Sequence, residues 1–259
     1  MWVRLVKSIF RRCALVVGLC LTLAACVTTT NAPEQRIDLA KAEATHIQAG
    51  LNYLRQRDKE SARRHFLKAL KLNSQSAGAN NGIALVHQME EEYELADQYY
   101  RKALSLDPDY ALARNNYGVF LFRQERYKEA EEHLEIVAKD FTYGRRTIAL
   151  ISLGKTQLKL NKTTEAEKSF KQVLSINFRQ PQAQLELADL YFQQKSYTNS
   201  KFYLDQFAKY SRQTPRSLWI GIRIERVFGN KDKEASYALA LKNLHPYSQE
   251  YLEYKQSAE

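Results

Sequence analysis

A period of 34 residues runs through this chain. Ala62, Ala96 and Ala130 stand at that interval, and so do Gly50, Ala84 and Gly118. Phe66, Tyr100 and Leu134 repeat in step with them, as do Ala69, Ala103 and Val137. After a two-residue insertion, Arg145-Arg146, the pattern resumes with Gly154, Ala166 and Phe170, then with Ala188, Tyr191 and Leu204. A short helix–turn–helix unit cannot bury its apolar face alone and must stack on a neighbour, so such a period dictates a solenoid rather than a single central core. The glycines and alanines let paired helices approach to near backbone distance, and the large residues fill the space between.

Thirty-four is the period of the tetratricopeptide repeat, and the pattern resembles that superfamily over six units: 43–76, 77–110, 111–144, 147–180, 181–214 and 215–248. The expected fold is all-α, a right-handed α-solenoid of six tetratricopeptide repeats with a C-terminal capping helix over 249–259. Pro108, Pro181, Pro215 and Pro246 fall at or near unit boundaries, where proline stops one helix or opens the next. Regularity decays toward the C-terminus: Ser200 replaces the alanine of the fifth unit, and the sixth reads with one extra residue between Gly229 and Ala235.

The first 26 residues read as targeting rather than fold. Arg4, Lys7, Arg11 and Arg12 precede an apolar run from Cys13 to Ala25. That run is shorter than the ~20 residues a membrane-spanning helix needs, and it suits a signal-peptide core. It ends in Leu23-Ala24-Ala25-Cys26, which resembles the lipobox of bacterial lipoproteins. The resemblance implies cleavage after residue 25 and a diacylglycerol on the Cys26 sulfur, and Val27 in place of an aspartate implies the outer membrane. Cys13 and Cys20 then leave with the signal, so no thiol remains for a disulfide, a metal or a nucleophile. Residues 26–42 are expected to be a lipidated tether, with Val27 to Asp38 showing little apolar pattern. Loss of the four basic signal residues lowers the formal charge from +10 to +6, too mild an excess to argue for nucleic acid.

No catalytic constellation is present in the sequence. His46, His65, His87, His133 and His245 form no HExxH and no Cys/His cluster, and glycine-rich phosphate loops and GxSxG are missing. His65 and His133 occupy equivalent repeat positions beside the core aromatic, which points to packing. Glu90-Glu91-Glu92 and Glu131-Glu132 are expected in turns or on solvated helix faces. The reading is a non-enzyme without cofactor, metal or small-molecule substrate.

In a tetratricopeptide array the first helix of each unit lines the concave surface. Counting along the register places Ile47, Leu51 and Leu54 there, then Asn81, Leu85 and Met89, then Asn115, Asn116, Val119 and Phe122. Apolar residues on that face suggest a groove for an extended or helical peptide. Asn81 and Asn115 are one period apart and expected to stack, and Asn116 stands where peptide-binding members of the superfamily hold a ligand backbone. At the far end Arg216, Arg223 and Arg226 count as inward-facing with Trp219, either a basic receptor or solvated arginines beside a core tryptophan.

Two segments go beyond the general repeat. Asn115-Asn116-Tyr117-Gly118-Val119-Phe120-Leu121 is one. The other is Ser217-Leu218-Trp219-Ile220-Gly221-Ile222-Arg223-Ile224-Glu225-Arg226, followed by Tyr237-Ala238-Leu239 and Pro246-Tyr247-Ser248-Gln249-Glu250-Tyr251. These resemble the type IV pilus biogenesis/stability lipoproteins, the pilotin family of PilF and PilW. The resemblance implies an outer-membrane lipoprotein facing the periplasm that binds secretin subunits and promotes their localisation and multimerisation during pilus assembly. It also implies a secretin contact at an apolar groove of the N-terminal repeats. An adaptor for peptidoglycan hydrolases or for β-barrel insertion shares the anchor and the repeats, so the two readings part only at the sixth-unit motif.

Overall fold

The computed structural model describes residues 32–258, with side chains from Asp38 to Ser257. The signal segment, Cys26 and Glu259 lie outside the described residues. Thirteen helices follow one another without a strand among the described residues. They are α1 (Ala32–Arg55), α2 (Lys59–Leu72), α3 (Ala77–Met89), α4 (Tyr93–Leu106), α5 (Ala111–Arg123), α6 (Tyr127–Lys139) and α7 (Arg146–Lys159). Then come α8 (Thr163–Ile176), α9 (Pro181–Gln193), α10 (Tyr197–Tyr210), α11 (Pro215–Val227), α12 (Lys231–Leu244) and α13 (Gln249–Ala258). Six antiparallel pairs form an α-solenoid, and α13 closes it against α11 and α12. No described helix is long and apolar enough to cross a membrane.

The pairs share one turn geometry. Arg57, Glu91, Glu125, Asn161, Lys195 and Gly229 all take a left-handed backbone, with φ between 59° and 70°. At each the following amide reaches back five residues to a carbonyl, as from Asp58 to Tyr53 at 3.0 Å and from Lys162 to Gln157 at 2.8 Å. This C-terminal motif satisfies carbonyls the helix would otherwise leave bare. Only one of the six positions is a glycine, so the backbone bonding holds five L-residues where they are ordinarily disfavoured.

Size complementarity locks the paired helices. A Cβ on Gly50 would lie 2.5 Å from the Phe66 ring, one on Gly118 2.7 Å from Leu134, and one on Gly154 2.6 Å from Phe170. Ala62, Ala96, Ala130 and Ala166 are fully buried. Ser200 fits the same slot: it is fully buried, and its hydroxyl donates to the Ala188 carbonyl at 2.6 Å. The degenerate fifth unit therefore packs like its neighbours.

Three expectations need correction. Helix α1 begins at Ala32, so residues 32–42 are helical rather than an extended tether. Pro33 is tolerated in the first turn, and the Glu, Gln, Leu, Ala and Lys that follow favour helix whether or not they pack. Asp38, Leu39 and Ala40 are exposed, which is why no apolar pattern showed. The sixth unit holds no extra residue, for α12 starts at Lys231, one period after Tyr197 opens α10. What shifts is the size pairing: Tyr237 packs 3.0 Å from where a Gly221 Cβ would stand, one place ahead of buried Ala238. The acidic runs, finally, are not all solvated. Glu131 is buried and accepts from Lys162 Nζ at 2.6 Å, Glu90 pairs with Arg63, and Glu92 lies 2.5 Å from His87 Nδ1.

The repeat-related histidines make these helix pairs pH-sensitive. His65 meets His46 with 3.1 Å between their Nδ1 atoms and stacks on Tyr53, and His133 lies against Tyr117 and Arg114. Burial, then the His46, Lys68 and Arg64 charges, push the His65 pKa down; burial, then Arg114, do the same to His133, with Glu129 opposing. Below about pH 6.5 the unfolded chain takes up protons at these sites that the folded chain resists, so stability falls as pH drops through that value. The thermal midpoint should be lower at pH 5.5 than at 7.5. The double variant His65→Gln, His133→Gln should flatten that dependence, and an unchanged slope would show that other groups control it.

Candidate partner-binding groove

The first helices of units one to three, with the residue before α7, converge on one cleft of about 350 Å³. Helix α1 supplies Leu51, Leu54 and Arg55, α3 supplies Leu85, Gln88 and Met89, and α5 supplies Leu112 and Asn116. Arg145, the residue that caps α7 and half of the insertion that breaks the period, closes the line. The leucines are half-buried: Leu51 and Leu54 lean on the Phe66 cluster and Leu85 on the central one. Their outer surfaces face the cleft, so the floor is apolar while two guanidiniums stand at its rim. Neither Arg55 nor Arg145 has a carboxylate partner among the described residues.

Amides sit at the centre. Asn116 Nδ2 donates to Asn81 Oδ1 at 3.1 Å. Asn81 is 1 % exposed, and its own Nδ2 finds no partner among the described residues; nor does the buried Asn115 Oδ1. A buried amide atom without a partner costs free energy of about 1–3 kcal/mol, which an ordered water would relieve.

Further along, the concave face turns ionic. Arg216 on α11 forms a fork with Glu186 of α9 (3.0 and 2.9 Å) and reaches Asp189 at 2.6 Å. Lys155 of α7 also faces Glu186 at 3.4 Å. Arg223 lies 3.6 Å from Asp189, its guanidinium 4.5 Å from the Phe192 ring centre and 5.3 Å from that of Trp219. Trp219 packs with Tyr254 of the cap in the last apolar cluster. Arg226 turns away from this face and pairs with Glu234 at 2.8 Å. The inward arginines of the basic end are thus paired with carboxylates of a neighbouring helix while their side chains stay partly exposed.

One other cluster of ligand-type side chains stands among the described residues. His87, Glu90 and Glu92 bring ligand atoms within 4.8 Å of one another, but Arg63 already pairs with Glu90 and His87 with Glu92.

Comparison with known proteins agrees with the repeat geometry. Models described as tetratricopeptide repeat match residues 109–177, and 47–111 with 151–205. The type IV pilus assembly protein PilF of Pseudomonas aeruginosa PAO1 is 40 % identical over 246 residues, spanning 94 % of this chain and 98 % of that one. The chain belongs to the PilF family. A solved structure of Pseudomonas aeruginosa PilF superposes with a TM-score of 0.80, covering 85 % of this chain and 99 % of that one. PilW, described as a widely conserved type IV pilus biogenesis factor, follows at 26 % identity and a TM-score of 0.72, over 81 % and 96 % of the two chains.

In this PilF-family chain the cleft gathers part of the candidate set. Leu51, Leu54, Leu85 and Asn116 line it with Met89, and Asn81 stands directly behind Asn116. Ile47 packs instead against the backbone at Gly78, its Cδ1 2.9 Å from where a Cβ would be. Val119 and Phe122 lean on the central core, Phe122 edge-on to Tyr127 at 5.5 Å, and Asn115 is buried among the helices. Sequence reasoning missed Arg55, Gln88, Leu112 and Arg145. Leu112 stands one helical turn before Asn116 and was within reach of the same count. Arg145 was visible only as an interruption, because its place in the cleft depends on how far the solenoid curves.

Proposed function

We propose that this protein is a pilotin of a type IV pilus system: a non-catalytic, lipid-anchored adaptor that binds secretin subunits and promotes their outer-membrane localisation and multimerisation. Kinship with PilF and PilW supports the pilus context. The observation that carries the binding reading is the cleft itself, where leucines of the first three units lie beside the Asn116 amide and two guanidiniums, Arg55 and Arg145, that no described carboxylate neutralises. Such a site suits an amphipathic segment, whose apolar side chains cover the leucines and whose polar groups meet Gln88, Asn116 and the two arginines. The mechanism needs no chemical step. An anchor and a groove suffice, since tethering raises the effective concentration of bound subunits at the membrane surface.

The test is secretin multimer abundance, by gel without boiling, in membranes of cells lacking this gene. Loss of the multimer with the monomer still present is expected. An unchanged multimer would remove the pilotin reading and leave an adaptor with another client. Anchoring has its own check, since Cys26→Ser should leave a folded protein that no longer fractionates with the outer membrane. Continued fractionation there would exclude the lipobox.

A further inference from the structure

The two long edges of the solenoid differ in chemistry. One carries the tight turns within pairs, whose left-handed tips are Arg57, Glu91, Glu125, Asn161, Lys195 and Gly229. The other carries the loops that lead from each pair to the next, at residues 73–76, 107–110, 140–145, 177–180, 211–214 and 245–248. On this second edge the protein shows its two most exposed large hydrophobic residues, Tyr247 at 96 % and Phe141 at 81 %. Phe178 and Tyr210 are also exposed there. These rings are interleaved with cations: the Arg146 guanidinium lies 4.1 Å from the centre of the Phe141 ring, and that of Arg179 6.0 Å from the centre of Tyr210.

The same edge is where the chain enters. Successive first helices run parallel, so the start of α1 belongs to the edge of the between-pair loops. Position 43 is the register equivalent of Ala77, the start of α3, yet α1 begins at Ala32. Eleven extra helical residues project about 16 Å at ~1.5 Å each. Six more residues reach back to Cys26, about 20 Å at most. A lipid on Cys26 therefore holds this edge within about 40 Å of the bilayer, near enough for its loops to touch.

We propose that the edge bearing Phe141, Phe178 and Tyr247 is a membrane-contact surface that seats on anionic phospholipid and orients the groove relative to the bilayer. Aromatic rings beside arginines are the combination that partitions to the lipid–water interface, the rings at headgroup depth and the cations on phosphate. The opposite edge has glutamates at two of its tips and one such pairing, exposed Phe228 with Lys201 5.9 Å from its ring centre, where this edge has two and the fully exposed Tyr247 besides. The proposal rests on the lipid-anchored reading of Cys26, but its test does not require that the cell lipidate this residue.

A chain starting at residue 26 has one cysteine and keeps every residue of the four apolar clusters, the first of which is Ile47. It can be coupled through Cys26 to a maleimide lipid in phosphatidylethanolamine/phosphatidylglycerol vesicles. Tryptophan is then placed singly as Phe141→Trp, Phe178→Trp or, at the opposite edge, Leu95→Trp. Each carries Trp219→Phe, and helical circular dichroism checks the fold. Brominated lipids should quench the 141 and 178 reporters several-fold more than the 95 reporter, with a blue shift that weakens in phosphatidylcholine. Equal or absent quenching at the two edges would overturn the proposal. So would loss of secretin capture in vesicle-free solution by Phe141→Ser with Phe178→Ser, since the edge would then dock protein. Failure of the pilotin reading is recorded separately, by the secretin multimer in cells.

Discussion

The double variant Leu51→Glu, Leu85→Glu should abolish capture of secretin while leaving the helical circular dichroism near that of the unaltered protein. Both side chains are half-buried and end on the cleft, so a carboxylate at either place can turn outward without entering the core. Covering the exposed half of one leucine against a partner contributes roughly half of the ~1.5–3 kcal/mol of full burial. Losing two, and asking the partner to desolvate two carboxylates instead, weakens binding at least about 100-fold. Arg55 and Arg145 at the rim could pair with the new carboxylates, which further closes the cleft to an incoming segment. The measurement is a titration of purified secretin subunit against both proteins. Unaltered affinity would move the binding site off this cleft. Matched changes on the ionic face are the natural control: Lys155→Gln, which loses a 3.4 Å contact to Glu186, should leave capture unchanged.

The extent to which this was legible in the sequence follows from where the information resides. Repeat packing is local and periodic: a small residue on one helix and a large one on the next, at a fixed interval, name each other. Gly50 with Phe66, Gly118 with Leu134 and Gly154 with Phe170 could therefore be paired from their spacing. The sixth unit misled for the same reason, since Tyr237 and Gly221 preserve the fit while moving it by one residue, and spacing alone read this as an insertion. Charge was harder. Glu186, Asp189, Arg216 and Arg223 lie on neighbouring first helices, so counting found the arginines inward but could not say that carboxylates waited opposite them. The cleft draws on three units and the insertion that follows them, and its membership depends on the accumulated rotation between them. That rotation is set by side-chain volumes across every interface, and no single window of sequence contains it. The helical start at Ala32 was hidden differently, because helix propensity without burial leaves no periodic trace.

Phe66→Ala should produce a large loss of stability and should separate folding from function along the solenoid. The ring is fully buried and fills the space left by two glycines, Gly50 on α1 and Gly82 on α3, so it holds together three helices from two units. Truncation leaves a cavity bounded by helices that already approach closely and cannot collapse further. The expected cost is about 3–5 kcal/mol, the upper range for a core aromatic. Phe170 is the interior counterpart, on α8, and its loss should cost a similar amount. The consequences differ because a solenoid's stability is a sum of nearest-neighbour terms. An interior unit is clamped from both sides, whereas α1 and α2 form the terminal pair with one neighbour only. Phe66→Ala should therefore fray the first pair below the global transition, taking Leu51 and Leu54 out of the cleft. Hydrogen exchange should show fast amides in residues 43–72 with the rest protected, and secretin affinity should fall with them. Phe170→Ala should instead lower the whole transition and leave affinity intact at temperatures where the protein is folded. If both variants lose protection uniformly, the array unfolds as one cooperative body. The groove would then be no more labile than the scaffold that carries it.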